Sequence, residues 1–208
     1  IYELIVLPDA DRADYHQING VKVIPTGPLL PGAKRNIGMK TAGGEILAFL
    51  DSDAYPRENW LENAVKYLSD EVVAVGGPGI TPAEDSPMQR ASGFVLSSLM
   101  VAGLSRRYRG SNGVVYSNDI HSCNFITKRS VIEEIGGWNE KYWPGEDTLL
   151  CLAIDKTRKK MVEAPDVVVY HHRKPLFTPH LRQMFNFGLH RGFFAKKFKG
   201  NSVKPTYF

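Results

Sequence analysis

Short apolar runs alternate along this chain with segments of helical periodicity, and that alternation restricts the fold more than any other feature. It predicts an α/β domain, a mixed and mostly parallel sheet with helices on its faces. Strands are expected over residues 2–7, 21–24, 46–50, 72–75, 123–127 and 167–170, and helices over 33–41, 56–68, 86–104, 129–135, 147–154 and 177–198. Residues 46–50, Ile-Leu-Ala-Phe-Leu, are apolar without interruption, as in a strand covered on both faces. The polar stretch 105–119 reads as a mobile loop. At 208 residues, 43% hydrophobic and 23% charged, the chain suits one domain, or one domain with an appendage, and is excluded from the disordered class.

Charge divides the molecule. From Lys156 onward there are twelve Lys/Arg against two acids, about +10, which leaves about −6 for the first 155 residues. Aromatic and aliphatic residues between Phe177 and Phe198 recur at helical spacing among Arg182, Arg191, Lys196 and Lys197. Residues 177–208 are therefore expected to form a basic amphipathic segment at an anionic membrane surface, or a helix packed on the domain; the two are compatible. No run approaches the roughly 20 apolar residues that cross a bilayer. The tail lacks the row of stacking platforms that would suit nucleic acid. Cys123 and Cys151 are far apart in sequence and read as free thiols in a reducing compartment, with a single bridge between them as the alternative.

Four groups of residues carry candidate chemistry. Asp51-Ser52-Asp53 follows the apolar strand 46–50 directly, at the carboxyl edge where open α/β sheets bind ligands. Two carboxylates on one turn can share a hard divalent cation that in turn holds a diphosphate, although the same pair also suits an Asx turn. An EF-hand is excluded, because Pro56 stands where that loop needs glycine. Glu146-Asp147 opens a helix after Pro144-Gly145, a place for capping acids or for a catalytic base kept ionised. His171-His172-Arg173 follows the last strand and suits a metal or phosphate contact, or a structural role. Lys34-Arg35-Asn36, at a helix start, suits an anion, and Asp9 is the functional candidate of its acidic loop.

The order of these pieces resembles glycosyltransferase family 2. The resemblance rests on Pro31-Gly32-Ala33-Lys34-Arg35-Asn36, Glu45 to Asp53, Gly136-Gly137-Trp138 and Gly145-Glu146-Asp147. His171-His172-Arg173 and the stretch from Arg182-Gln183 to Arg191-Gly192 are similar to its bacterial and archaeal membrane-associated members. The resemblance implies a GT-A fold over residues 1–176, Rossmann-like, that binds a nucleoside-diphosphate sugar with Mn²⁺ or Mg²⁺. It implies that Asp9 and Arg35 contact the nucleotide base, Asp51 the ribose region, and Asp53 the metal, with His171 or His172 as a metal or phosphate contact. Asp147 would be the base, Glu146 its neighbour, and Trp138 a wall for a sugar ring. The expected reaction is inverting transfer to a glycan or lipid-linked acceptor, at the cytoplasmic face of the cell membrane. The resemblance further implies a longer polypeptide with one more β-α unit ahead of this sequence and membrane helices after it. A non-catalytic scaffold for a nucleotide or lipid headgroup, and a nucleotidyltransferase, share the fold and remain as alternatives.

Overall fold

The computed structural model describes residues 2–17, 19–102 and 106–197. Strand β1 (Leu4–Val6) pairs in parallel with β2 (Val21–Val23), the two joined through a short 3₁₀ turn at Ala13–Gln17. Helix α1 (Pro31–Thr41) leads to β3 (Ile46–Phe49), and β4 (Ala54–Pro56) precedes helix α2 (Trp60–Tyr67). Next come β5 (Val72–Gly76), β6 (Gly79–Ile80), and helices α3 (Pro87–Ser97) and α4 (Leu99–Ala102). The chain continues through β7 (Val115–Tyr116), β8 (Phe125–Lys128), α5 (Arg129–Glu134) and α6 (Glu146–Lys156). It closes with β9 (Lys160–Glu163), β10 (Val169–His171) and the long helix α7 (Thr178–Lys197).

The main sheet has the order β3-β8-β5-β9-β7. β8 runs antiparallel to both β3 and β5, and β9 runs parallel to β5, so β3, β5 and β9 share one direction while β8 and β7 oppose it. This is the expected mixed α/β architecture. Successive side chains of a strand point to opposite faces, which splits the core in two. Phe125 and Met161 pack on one face with Met39, Trp138, Leu150 and Ile154. Ile126 and Val162 pack on the other with Trp60, Ala64, Val167 and Val169. A second, three-stranded sheet joins β4, β10 and β6 at one end of these strands.

Several expectations are corrected. Residues 46–50 are not covered on both faces: β3 is the outermost strand of its sheet, and Leu47 is buried while Ile46 and Ala48 are exposed. The α2 segment starts at Trp60 rather than Pro56, because residues 54–56 pair with β10 instead. The single helix expected over 86–104 is interrupted at Ser98, whose extended backbone (ψ 150°) separates α3 from α4. Within the stretch expected as a loop, β7 pairs with β9, a strand that Lys160 and Glu163 at its ends conceal in the sequence. Both cysteines are free and buried. Residues 198–208 of the expected basic tail lie outside the described residues.

One latch fixes α1 to the loop ahead of α6. Asn36 Nδ2 donates to the Trp138 carbonyl at 2.9 Å, and the Trp138 amide donates to Asn36 Oδ1 at 2.8 Å. Gly137 must be glycine twice over: its φ is +85°, and a Cβ there would stand 2.7 Å from Asn36 Oδ1. Each buried polar group stranded without its partner costs about 1–3 kcal/mol. Asn36→Ala is expected to lower the free energy of unfolding by roughly 2–5 kcal/mol in urea titrations, because two backbone groups of Trp138 lose their partner at once.

Candidate active site

A cleft of about 1760 Å³ opens along one end of the sheets, bordered by β1, the turn after β3, the start of α6, the end of β10 and the inner face of α7. Into it come Asp9, Arg35, Asp51, Asp53, Glu146, Asp147, His171 and His172, residues spread over most of the sequence. Trp138 is absent from this lining. It is 2% exposed, packed edge-on to Phe49 at 5.0 Å and Phe125 at 5.8 Å, so the expected sugar wall is a core residue.

Strand pairing assembles the acidic pole. β4 and β10 run antiparallel in the register Tyr55 opposite Tyr170 and Ala54 opposite His171, and the His172 amide donates to the Asp53 carbonyl at 2.9 Å. That register sets His171 Nε2 3.1 Å from Asp53 Oδ1. Asp51, Asp53 and His171 each offer a ligand atom within 4.8 Å of the others. The hydrogen bond to His171 is foremost in holding the Asp53 carboxyl down at about 2; burial opposes it, and the charges of His171 and Lys174 assist. Two hard carboxylate oxygens and one imidazole suit Mn²⁺ or Mg²⁺. His172 turns away from this group, its Nδ1 2.5 Å from Oδ1 of the buried Asp85. Of the two histidines, His171 is the one beside the acids.

The opposite pole is set by Arg35, a residue expected to meet the nucleotide base. Its guanidinium is committed elsewhere: Nη2 donates to Asp51 at 2.8 Å and Nη1 to Glu146 at 2.7 Å, over the Trp138 ring at 4.7 Å. Glu146 is thereby locked, its side chain 5% exposed. Asp9 is bound by Lys34, whose ammonium also donates to the Leu7 carbonyl at 3.1 Å, and stands at the rim with its side chain 66% exposed.

Asp147 differs from its neighbour. The Thr148 amide donates to it at 2.8 Å, and burial pushes its carboxyl up to about 6, with Glu146 and Asp119 adding to the rise and Arg107 opposing it. Sequence reasoning missed this surrounding group: the Arg107–Asp119 pair at 2.9 Å and His121, all lining the cleft. They lie in or after a stretch read as loop, where no periodicity marks them. His121 Nε2 is buried without a hydrogen-bond partner among the described residues.

Residues 6–136 match the family described as Glycosyl transferase family 2. The chain is 30% identical over 149 residues to the pre-mycofactocin glycosyltransferase of Mycobacterium tuberculosis, covering 70% of this chain and 31% of that protein. It is 26% identical over 159 residues to the glycosyltransferase AglE of Haloferax volcanii, covering 75% and 48% respectively. Among solved structures, the mannosyltransferase PcManGT from Pyrobaculum calidifontis in complex with GDP-Man and Mn²⁺ superimposes with a TM-score of 0.64 at 20% identity, over 99% of this chain and 57% of that one. GalNAc-T7 with UDP, GalNAc and Mn²⁺ gives 0.62 at 16% identity, over 99% and 46%. The fold is GT-A, and the chain belongs to glycosyltransferase family 2. It spans about a third to a half of the length of these curated relatives.

Two measurements test the two poles. Mn²⁺ is expected to raise the melting temperature of the wild-type chain in differential scanning fluorimetry and to leave Asp53→Ala unchanged. For Asp147 the sign follows from linkage: a carboxyl raised above its unfolded value is stabilising when protonated, so stability falls as pH climbs from about 4 through about 6. Asp147→Asn is therefore expected to melt higher than wild type near about pH 7.5, a gain that disappears below about pH 4.

Proposed function

We propose that this chain is the catalytic domain of an inverting glycosyltransferase that moves a sugar from a nucleoside-diphosphate donor to an acceptor hydroxyl. The observation that carries the reading is the unequal treatment of the cleft's carboxylates. Asp51 and Glu146 are tied to Arg35, Asp53 is held ionised beside His171, and Asp147 is the one with a proton affinity near neutrality. The family supports sugar transfer as the reaction class, and the two superimposed enzymes, bound to GDP-Man or to UDP and GalNAc with Mn²⁺, support a nucleotide-sugar donor.

In this reading Asp51, Asp53 and His171 hold a divalent cation, which would neutralise charge on the leaving diphosphate. Asp147 takes the proton of the acceptor hydroxyl as its oxygen bonds to the anomeric carbon. The bond from that carbon to the diphosphate oxygen breaks on the opposite face, so configuration inverts. The nucleoside diphosphate leaves with the bonding electrons. A carboxyl near 6 is deprotonated at neutral pH yet basic enough to accept a proton in the transition state. The half-buried Arg107–Asp119 pair and His121 also line the cleft and would meet sugar or acceptor hydroxyls.

A donor screen with Mn²⁺, scored by the nucleotide released, tests the reaction class. Nucleoside diphosphate is the expected product, and pyrophosphate would mean nucleotidyl transfer instead. Asp147→Asn should lower kcat by about 100- to 10,000-fold with donor binding retained. The wild-type rate should fall about tenfold per pH unit below about 6. Unchanged turnover in Asp147→Asn would remove the base from the mechanism.

A further inference from the structure

Helix α7 has two faces of opposite use. One covers the cleft and the domain: His180 is buried with Nδ1 2.6 Å from Ser92 Oγ of α3, Met184 and Phe187 line the cleft, and Phe194 is buried. The other carries a row of large apolar side chains four residues apart, Leu181, Phe185, Leu189 and Phe193, exposed by 63%, 67%, 57% and 45%. Phe177, exposed by 63%, continues the row just ahead of the helix. At 1.5 Å per residue the helical part of the row runs about 18 Å.

Charge identifies what this row meets. Arg182, Arg191, Lys196 and Lys197 are the charged residues of α7: Arg182 and Arg191 reach the cleft lining, Lys197 donates to the Tyr142 hydroxyl at 2.6 Å, and Lys196 is exposed beside the row; no acid follows Asp166 anywhere in the sequence. An exposed apolar row on a helix that carries cations and no acid matches the layered chemistry of an anionic bilayer surface, with acyl chains below and phosphates beside them. Among the described residues no helix is long and apolar enough to cross a membrane, so α7 lies along such a surface instead of entering it. Phe94 of α3, exposed by 71%, adds apolar surface on the helix joined to α7 by the Ser92–His180 contact and to the segment just ahead of α7 by the Leu176 amide donating to the Met88 carbonyl, and Leu99 of the following α4 is exposed by 68%.

We infer that α7 is an interfacial helix whose row from Leu181 to Phe193 docks the domain on an anionic lipid surface, while its opposite face roofs the cleft. Docking is independent of the catalytic reading, and its test needs no turnover. The purified chain is floated with vesicles of phosphatidylcholine, with and without phosphatidylglycerol. It should rise with the anionic vesicles and stay behind with the neutral ones, and added salt should weaken the association. The double variant Phe185→Ser/Leu189→Ser, which alters side chains outside the cleft, should reduce vesicle binding by at least roughly tenfold with its melting temperature preserved. Wild-type protein that ignores anionic vesicles, or a variant that binds them as well as wild type, overturns the inference. A chain that is dimeric by light scattering, and monomeric after the double substitution, overturns it in favour of a second copy on the row. Loss of nucleoside diphosphate release in the Asp147 variant alone bears on catalysis and leaves docking standing.

Discussion

The guanidinium of Arg35 is the joint on which the cleft depends. It draws the turn after β3 and the first turn of α6 onto one side chain, with Asp51 and Glu146 as its two anchors and the Trp138 ring beneath. Glu146 and Arg35 are 5% and 11% exposed, and a buried charge that loses its partner typically costs about 3–5 kcal/mol; Asp51, 33% exposed, keeps one side to the cleft. Arg35 can serve this way because α1 itself cannot shift. Asn36 latches it to both polar atoms of the Trp138 backbone, and Gly32 lies so close to the Asn139 carbonyl that a Cβ would stand 2.2 Å from it.

Arg35 anchors Asp51 and Glu146, and two further acids of the cleft are held quite differently. Asp53 and Asp147 are the same residue type in one cleft, yet one carboxyl sits at about 2 and the other at about 6. The causes are separate. His171 and Lys174 surround the first with donors and positive charge, whereas the second is desolvated and faces Glu146 and Asp119. Divergent environments for like groups are how one site keeps an anion for a cation and a base for a proton.

Much of this was legible in the sequence, and the rest was hidden for identifiable reasons. The Asp-Ser-Asp turn after an apolar strand, the acids opening α6 and the histidines after the last strand all reached the cleft, because each marks an element end and element ends are what a sheet gathers. Trp138 misled because an aromatic after two glycines has the same appearance whether it faces a ligand or the core. The ion pairs of Arg35 with Asp51 and Glu146 were hidden, since a sequence does not disclose which anions a cation has already found inside its own fold. The choice between His171 and His172 was out of reach until β4 appeared. Three residues, Ala-Tyr-Pro, are too short to display a period, and their register with β10 is what turns one ring toward Asp53 and the other toward Asp85.

Gly145 has φ of +113° and launches the helix that carries Glu146 and Asp147, and a Cβ on it would stand 2.7 Å from the Phe194 ring. That ring belongs to α7, near the end of the helix whose outer row is bare. The turn that launches α6 and the roof of the cleft therefore meet through one aromatic edge. A roll of α7 about its axis would press on the turn that carries Asp147 with no intervening residue, so contact at the outer surface of α7 and the position of that carboxylate are geometrically linked.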